Sequence, residues 1–134
     1  MSKLFFFTYF IFLALIPIND LKSNQINENI LEADKIEYIN ESGKILATGS
    51  VLIIREGYRL EADKVSLDPS KKIIEAEGNI RINEGNGGLI TASKIKISSN
   101  LNDGIIELPR IVTKDGTVLT SDYAIRNSGK ATIL

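Results

Sequence analysis

The stretch that decides the fold is Leu60-Glu61-Ala62-Asp63-Lys64-Val65-Ser66-Leu67, followed across Asp68-Pro69-Ser70-Lys71-Lys72 by Ile73-Ile74-Glu75-Ala76-Glu77-Gly78-Asn79-Ile80-Arg81-Ile82. In its second half Ile74, Ala76, Gly78, Ile80 and Ile82 alternate with Glu75, Glu77, Asn79 and Arg81. A period of two, apolar against polar, is the signature of a half-buried antiparallel strand. The first half changes phase: Leu60 and Ala62 share one parity, Val65 and Leu67 the other. One extra residue must be absorbed there, which predicts a β-bulge at Asp63-Lys64. Pro69 pre-sets its φ for the intervening turn, so the two halves read as one hairpin.

Working outward, the same hairpin recurs. Leu31-Glu32-Ala33-Asp34-Lys35-Ile36, Leu60 to Val65, Ile90-Thr91-Ala92-Ser93-Lys94-Ile95 and Leu119-Thr120-Ser121-Asp122-Tyr123-Ala124 are copies of one pattern whose third residue falls at 33, 62, 92 and 121. A spacing of about 29 residues marks a tandem repeat. The companion element appears as Ala47-Thr48-Gly49-Ser50-Val51 and Ala76 to Ile80, and the later copies lose its glycine. Gly-containing breaks at Arg55-Glu56-Gly57, Asn83 to Gly88 and Lys114-Asp115-Gly116 separate the periods. The segments between them are too short for helices and rich in Ile, Val and Leu. About eight antiparallel strands are expected, in an all-β, open two-sheet sandwich. The parity of Ile105 to Val112 is left open, because Pro109 interrupts it.

Inward-facing positions follow from the alternation. They are Leu31, Ala33, Ile36 and Tyr38 in the first strand, Ala47, Val51 and Ile53 in the second, and Leu60, Ala62, Val65 and Leu67 in the third. Ile74, Ala76, Ile80 and Ile82, then Ile90, Ala92, Ile95 and Ile97, complete the set. A rung of small residues between aliphatic walls either packs tightly or leaves an apolar trough, and the sequence pattern alone favours tight packing. Asp34, Asp63 and Asp122 recur at the kink and are expected to hydrogen-bond the bent backbone.

Composition removes whole classes of function. Cysteine, histidine and tryptophan are absent from the 134 residues, so there is no disulfide, no thiolate nucleophile, no Cys/His metal site and no histidine base. Sixteen basic and 17 acidic residues are mixed along the chain at net charge −1, unlike the basic footprint of a nucleic-acid binder. Gly85-Asn86-Gly87-Gly88 lacks the Lys-Ser/Thr of a phosphate loop, and Asn40-Glu41-Ser42 reads as a turn. No cofactor or metal is expected, and no enzyme activity.

Residues 1–23 read differently. Lys3 precedes the apolar run Leu4 to Ile16, closed by Pro17 and polar Asn19-Asp20. The run is shorter than the roughly 20 residues that span a bilayer, which predicts a secretory signal, with an uncleaved anchor as the alternative because no A-x-A site follows. Residues 24–134 form the expected single domain, with its last strand stopping short at Leu134.

The tandem pattern L-x-A-D-x-[IV]-x-[YL], turn, A-x-G-x-[VI]-x-[IL] resembles the OstA-like domain of lipopolysaccharide transport, found in the bridge protein LptA and the N-terminal region of the assembly protein LptD. The resemblance covers about residues 30–134, and Leu101 to Glu107 with Asp115 to Leu119 looks more like the LptD domain. It implies a β-jellyroll that holds lipopolysaccharide by its acyl chains along the nineteen inward positions. It also implies joining to other jellyrolls through strand edges, about Ile30 to Tyr38 and Lys130 to Leu134, in the periplasm or at the outer membrane. That family's assembly proteins continue into a cysteine-flanked barrel, which this chain lacks; a truncated piece and a stand-alone bridge protein are both expectations. The alternative function is a β-scaffold that joins envelope proteins with a filled core and no lipid.

Overall fold

The computed structural model describes residues 29–134; the expected signal segment lies outside them. Eleven strands form one antiparallel sheet: β1 (Ile30–Glu32), β2 (Lys35–Ile39), β3 (Lys44–Arg55), β4 (Tyr58–Asp68), β5 (Ile73–Asn83), β6 (Leu89–Ser98), β7 (Gly104–Glu107), β8 (Arg110–Val112), β9 (Val118–Thr120), β10 (Tyr123–Asn127) and β11 (Lys130–Ile133). Kinks split three passes of the chain into β1–β2, β7–β8 and β9–β10, so the eleven strands are eight passes, as the repeat predicts.

Each pass bends at the same level. Pairing runs from Thr48↔Lys64 to Val51↔Ala62, and from Lys64↔Glu77 to Glu61↔Arg81. Two residues of β3 thus oppose one of β4, and β5 carries one residue more than β4. The extra residue therefore sits on the glycine strands, at Gly49-Ser50 and Gly78-Asn79, and not at Asp63-Lys64 as the phase change suggested. The reason is conformational. Both residues of each pair have positive φ (79° and 45°, 78° and 47°), a region that glycine enters freely and asparagine enters more readily than most.

The bend folds the sheet back on itself into two facing leaves. One leaf holds β1, Val51–Arg55, Tyr58–Ala62, Ile80–Asn83, Leu89–Ala92, β8 and β9; the other holds β2, Lys44–Thr48, Lys64–Asp68, Ile73–Glu77, Lys94–Ser98, β7, β10 and β11. The core lies between them, with Val51, Ile53, Leu60, Ile80, Ile82 and Ile90 from the first leaf against Ala47, Val65, Ile74, Ile95, Ile97 and Ile106 from the second. Each valine, leucine or isoleucine among them contributes about 1.5–3 kcal/mol by leaving water. The parity that Pro109 obscured resolves here: Leu108 turns to φ 50°, β7 ends, β8 begins, and Ile106 and Ile111 both face inward.

Candidate functional site

Among the described residues, every repeat contributes to the interior. Thirteen of the expected inward residues are buried in it: Ala47, Val51, Ile53, Leu60, Ala62, Val65, Ile74, Ala76, Ile80, Ile82, Ile90, Ile95 and Ile97. Leu31, Ala33, Leu67 and Ala92 pack against it from the margin. Ile36 and Tyr38 do not join it. They stand opposite Ala47 and Ile45 in the β2–β3 register but remain 50% and 65% exposed. Their enclosure, expected from parity, fails because β2 is the last strand of its leaf among the described residues.

Sequence reasoning missed Leu101, Ile106, Ile111, Ala124 and Arg126, all of them in the core. Ala124 and Arg126 alternate with Ile125 inside β10, and an arginine on the inward side hid the pattern.

Small residues mark where the leaves meet at the kink. A Cβ on Gly78 would lie 3.0 Å from Asp63 Cβ, and one on Gly49 would lie 2.8 Å from Asp34 Cβ. The two aspartates thus fill the space their glycines leave. The Asp63 carboxylate accepts a hydrogen bond from the Asn79 side-chain amide at 2.8 Å, so its partner is a side chain and not the backbone expected for it. At Asp34 it is the backbone N–H that ties the kink, donating to Gly49 O at 2.9 Å. In the third period Ser93 replaces the aspartate and Leu108 the glycine, and a groove of about 590 Å³ opens beside them over Ile80 and Ala92.

The core is filled by its own side chains: Ala47, Leu60, Val65, Ile74 and Ile106 have no exposed surface. Apolar depressions open at the far margin from the kink. One of about 270 Å³ is lined by Ile45, Leu67, Ile73 and Ile74 beneath Arg55 and Lys72, and one of about 180 Å³ by Leu89, Ile90, Ile111 and Val112. At this margin the turns of the two leaves face each other. Arg126, 1% exposed, donates from Nη1 to Glu84 Oε1 and from Nε to Leu101 O at 2.6 Å, and its guanidinium carbon stands 5.1 Å from the centre of the Tyr58 ring. Arg55 Nη1 donates to Ser99 O at 2.5 Å.

The outward faces are polar and paired across strands. Lys94–Glu77 at 3.4 Å and Lys96–Glu75 at 3.2 Å continue the charge alternation on β5 and β6. Exposed pairs of this kind contribute about 0–1 kcal/mol, and their main consequence is solubility of that face. Asp68 closes the β4–β5 turn. Ser70 Oγ donates to its Oδ1 at 2.7 Å and the Lys71 N–H donates to the same atom at 3.1 Å, which together hold its carboxyl below the ordinary aspartate range. Both ends of the sheet are unpaired among the described residues, β1 and β2 at one end and β9 and β11 at the other.

No family model matches the chain. Over 72 residues, 54% of its length, it is 33% identical to the LPS-assembly protein LptD of Vibrio cholerae, and the match spans 9% of that protein. Its fold is that of LptH, the LptA-homologous periplasmic component of the conserved lipopolysaccharide transport device from Pseudomonas aeruginosa: TM-score 0.68, 11% identity, 80% of this chain and 82% of that one. Both likenesses fall on the family whose tandem pattern the sequence resembles.

Proposed function

We propose that this chain is a lipopolysaccharide carrier of the bacterial envelope, a non-catalytic jellyroll that takes acyl chains between its leaves and passes them to an adjoining jellyroll. The observation that carries this reading is the single apolar interior shared by all four periods, in a chain similar both to LptD and to the fold of LptH. The family resemblance supplies the lipid. The physical chemistry supplies the drive, because each buried CH₂ is worth about 0.8 kcal/mol. Hand-over needs no chemistry, only comparable affinity at successive sites.

The partners follow from the edges. An unpaired strand edge recruits another strand. Ile36 and Tyr38 add an uncovered apolar face beside the β1–β2 edge, so a second jellyroll docking there would extend both the sheet and the apolar lining. In this reading the chain works in the periplasm, linked to the outer membrane through a partner or a barrel domain. The head group stays in solvent near cationic residues such as Lys44, Arg55, Arg59, Lys71 and Lys72.

Photo-reactive residues placed in living cells at Ile80 and Ile95 test the assignment. Capture of lipopolysaccharide at these two positions, and of another jellyroll protein at Tyr38, is the expected result; capture of protein alone at all three would leave only a scaffold. That second reading has one observation in its favour, the filled interior, which obliges the leaves to part before lipid can enter.

A further inference from the structure

We infer that the contacts at the open margin are a reversible latch: Arg126 with Glu84 and Tyr58, and Arg55 with the Ser99 carbonyl, hold the leaves shut until acyl chains enter there. This rests on the lipid-carrier reading and states how the same interior is gated.

Among the described residues these are the two polar ties between the facing leaves. Arg55, Tyr58 and Glu84 belong to one leaf and its turns, whereas Ser99, Leu101 and Arg126 belong to the other. The opposite margin is continuous backbone, bent at Gly49-Ser50 and Gly78-Asn79, so the leaves can separate only by swinging about that kink.

The chemistry of the seam suits opening. An apolar residue at 126 would extend the core of β7 and β10 without a charge to compensate. Arg126 instead buries a guanidinium whose Nη2 has no hydrogen-bond partner. Burying an ion pair costs desolvation that its attraction repays poorly when a donor is left unmade. When the margin opens, Arg126 and Glu84 both regain water, so this seam resists separation less than a wholly apolar one would. A depression of about 250 Å³ already indents the surface beside Tyr58, Glu84 and Gly129.

Closeness of approach shows how tightly the seam shuts. A Cβ on Gly129 would stand 2.7 Å from Tyr58 Oη, so the turn between β10 and β11 lies against the tip of the Tyr58 side chain at the start of β4.

The native sequence has no cysteine, so Lys114→Cys and Lys130→Cys place two unique thiols on opposite sides of the seam. A bis-maleimide that joins them locks the leaves. Loading with purified lipopolysaccharide is read by photo-capture at Ile80 in the full chain. The locked protein is expected to take up no lipid, and Glu84→Gln, which removes the charge at nearly constant shape, to load roughly tenfold faster. Arg55→Gln, released at the other tie, serves should Glu84→Gln fail to fold. Uptake by the locked protein at the unlocked rate overturns the latch and leaves the carrier standing. Absence of capture in every form, including the two released variants, overturns both.

Discussion

Gly78 shows how a single residue sets the bend. Its φ of 78° and the approach of Asp63 both exclude a side chain. Gly78→Ala is expected to cost about 1–3 kcal/mol, read as a fall in the urea midpoint. Asp63→Ala in the same chain removes the carboxylate oxygen that this Cβ would meet at 2.5 Å but keeps Asp63 Cβ, so it should recover part of the clash and none of the backbone strain; strict additivity of the two changes would contradict the contact. Asp68 makes a pH prediction. Its folded carboxyl lies below the ordinary value, first through the Ser70 hydroxyl and then through the Lys71 N–H. Its contribution is therefore complete above the unfolded aspartate value and lost as pH falls through the lowered folded one. Asp68→Asn should be less stable than the native chain at neutral pH, with the gap closing below about pH 4. A gap unchanged between neutral pH and about pH 3 would count against this role.

At the scale of the strand, the third period is the informative one. Leu108 occupies the kink where the first two periods place glycine, with φ 50° and its side chain 61% exposed. A non-glycine residue in this region carries about 1–2 kcal/mol of strain, while the exposed leucine returns little by burial. Leu108→Gly is expected to raise the melting temperature, and a lower one would show that the packing and chain stiffness Leu108 supplies outweigh its backbone strain. Most of the fold was legible from such strands. Alternation in β3 to β6 placed Ala47 to Ile97 on the correct side, and the period of 29 residues fixed the eight passes. The bulge was misplaced by one strand because a change of parity shows on the strand that lacks the extra residue, while the glycine strand keeps its even count through the kink. The inward set of β7 to β10 was hidden by Pro109 and by Arg126, since hydrophobic patterning cannot announce an arginine that faces the core.

For the whole molecule, the sequence pattern located the lining but not its state. Small residues at Ala33, Ala62 and Ala92 suggested either a trough or close packing, a choice that depends on how far the leaves swing together. That distance is set by the turns at the far margin, where Tyr58 and Glu84, from the two ends of the second period, meet Arg126 of the fourth. Contacts between residues 42 positions apart leave no local signal in composition or spacing. Ile36 and Tyr38 belong to the same scale: parity gave their direction, whereas their exposure depends on where their own leaf ends.

The central claim is that acyl chains enter between the leaves, and isoleucine methyl groups report on it directly. In a methyl-labelled sample titrated with lipopolysaccharide, Ile74, Ile80, Ile82, Ile95 and Ile97 face inward, whereas Ile105 and Ile125 pair on the outer surface of β7 and β10. The account predicts shifts and acyl-chain nuclear Overhauser contacts at the five inward methyls, with Ile105 and Ile125 unmoved. Contacts confined to Ile105 and Ile125, with the inward five unchanged at saturating lipid, would contradict it.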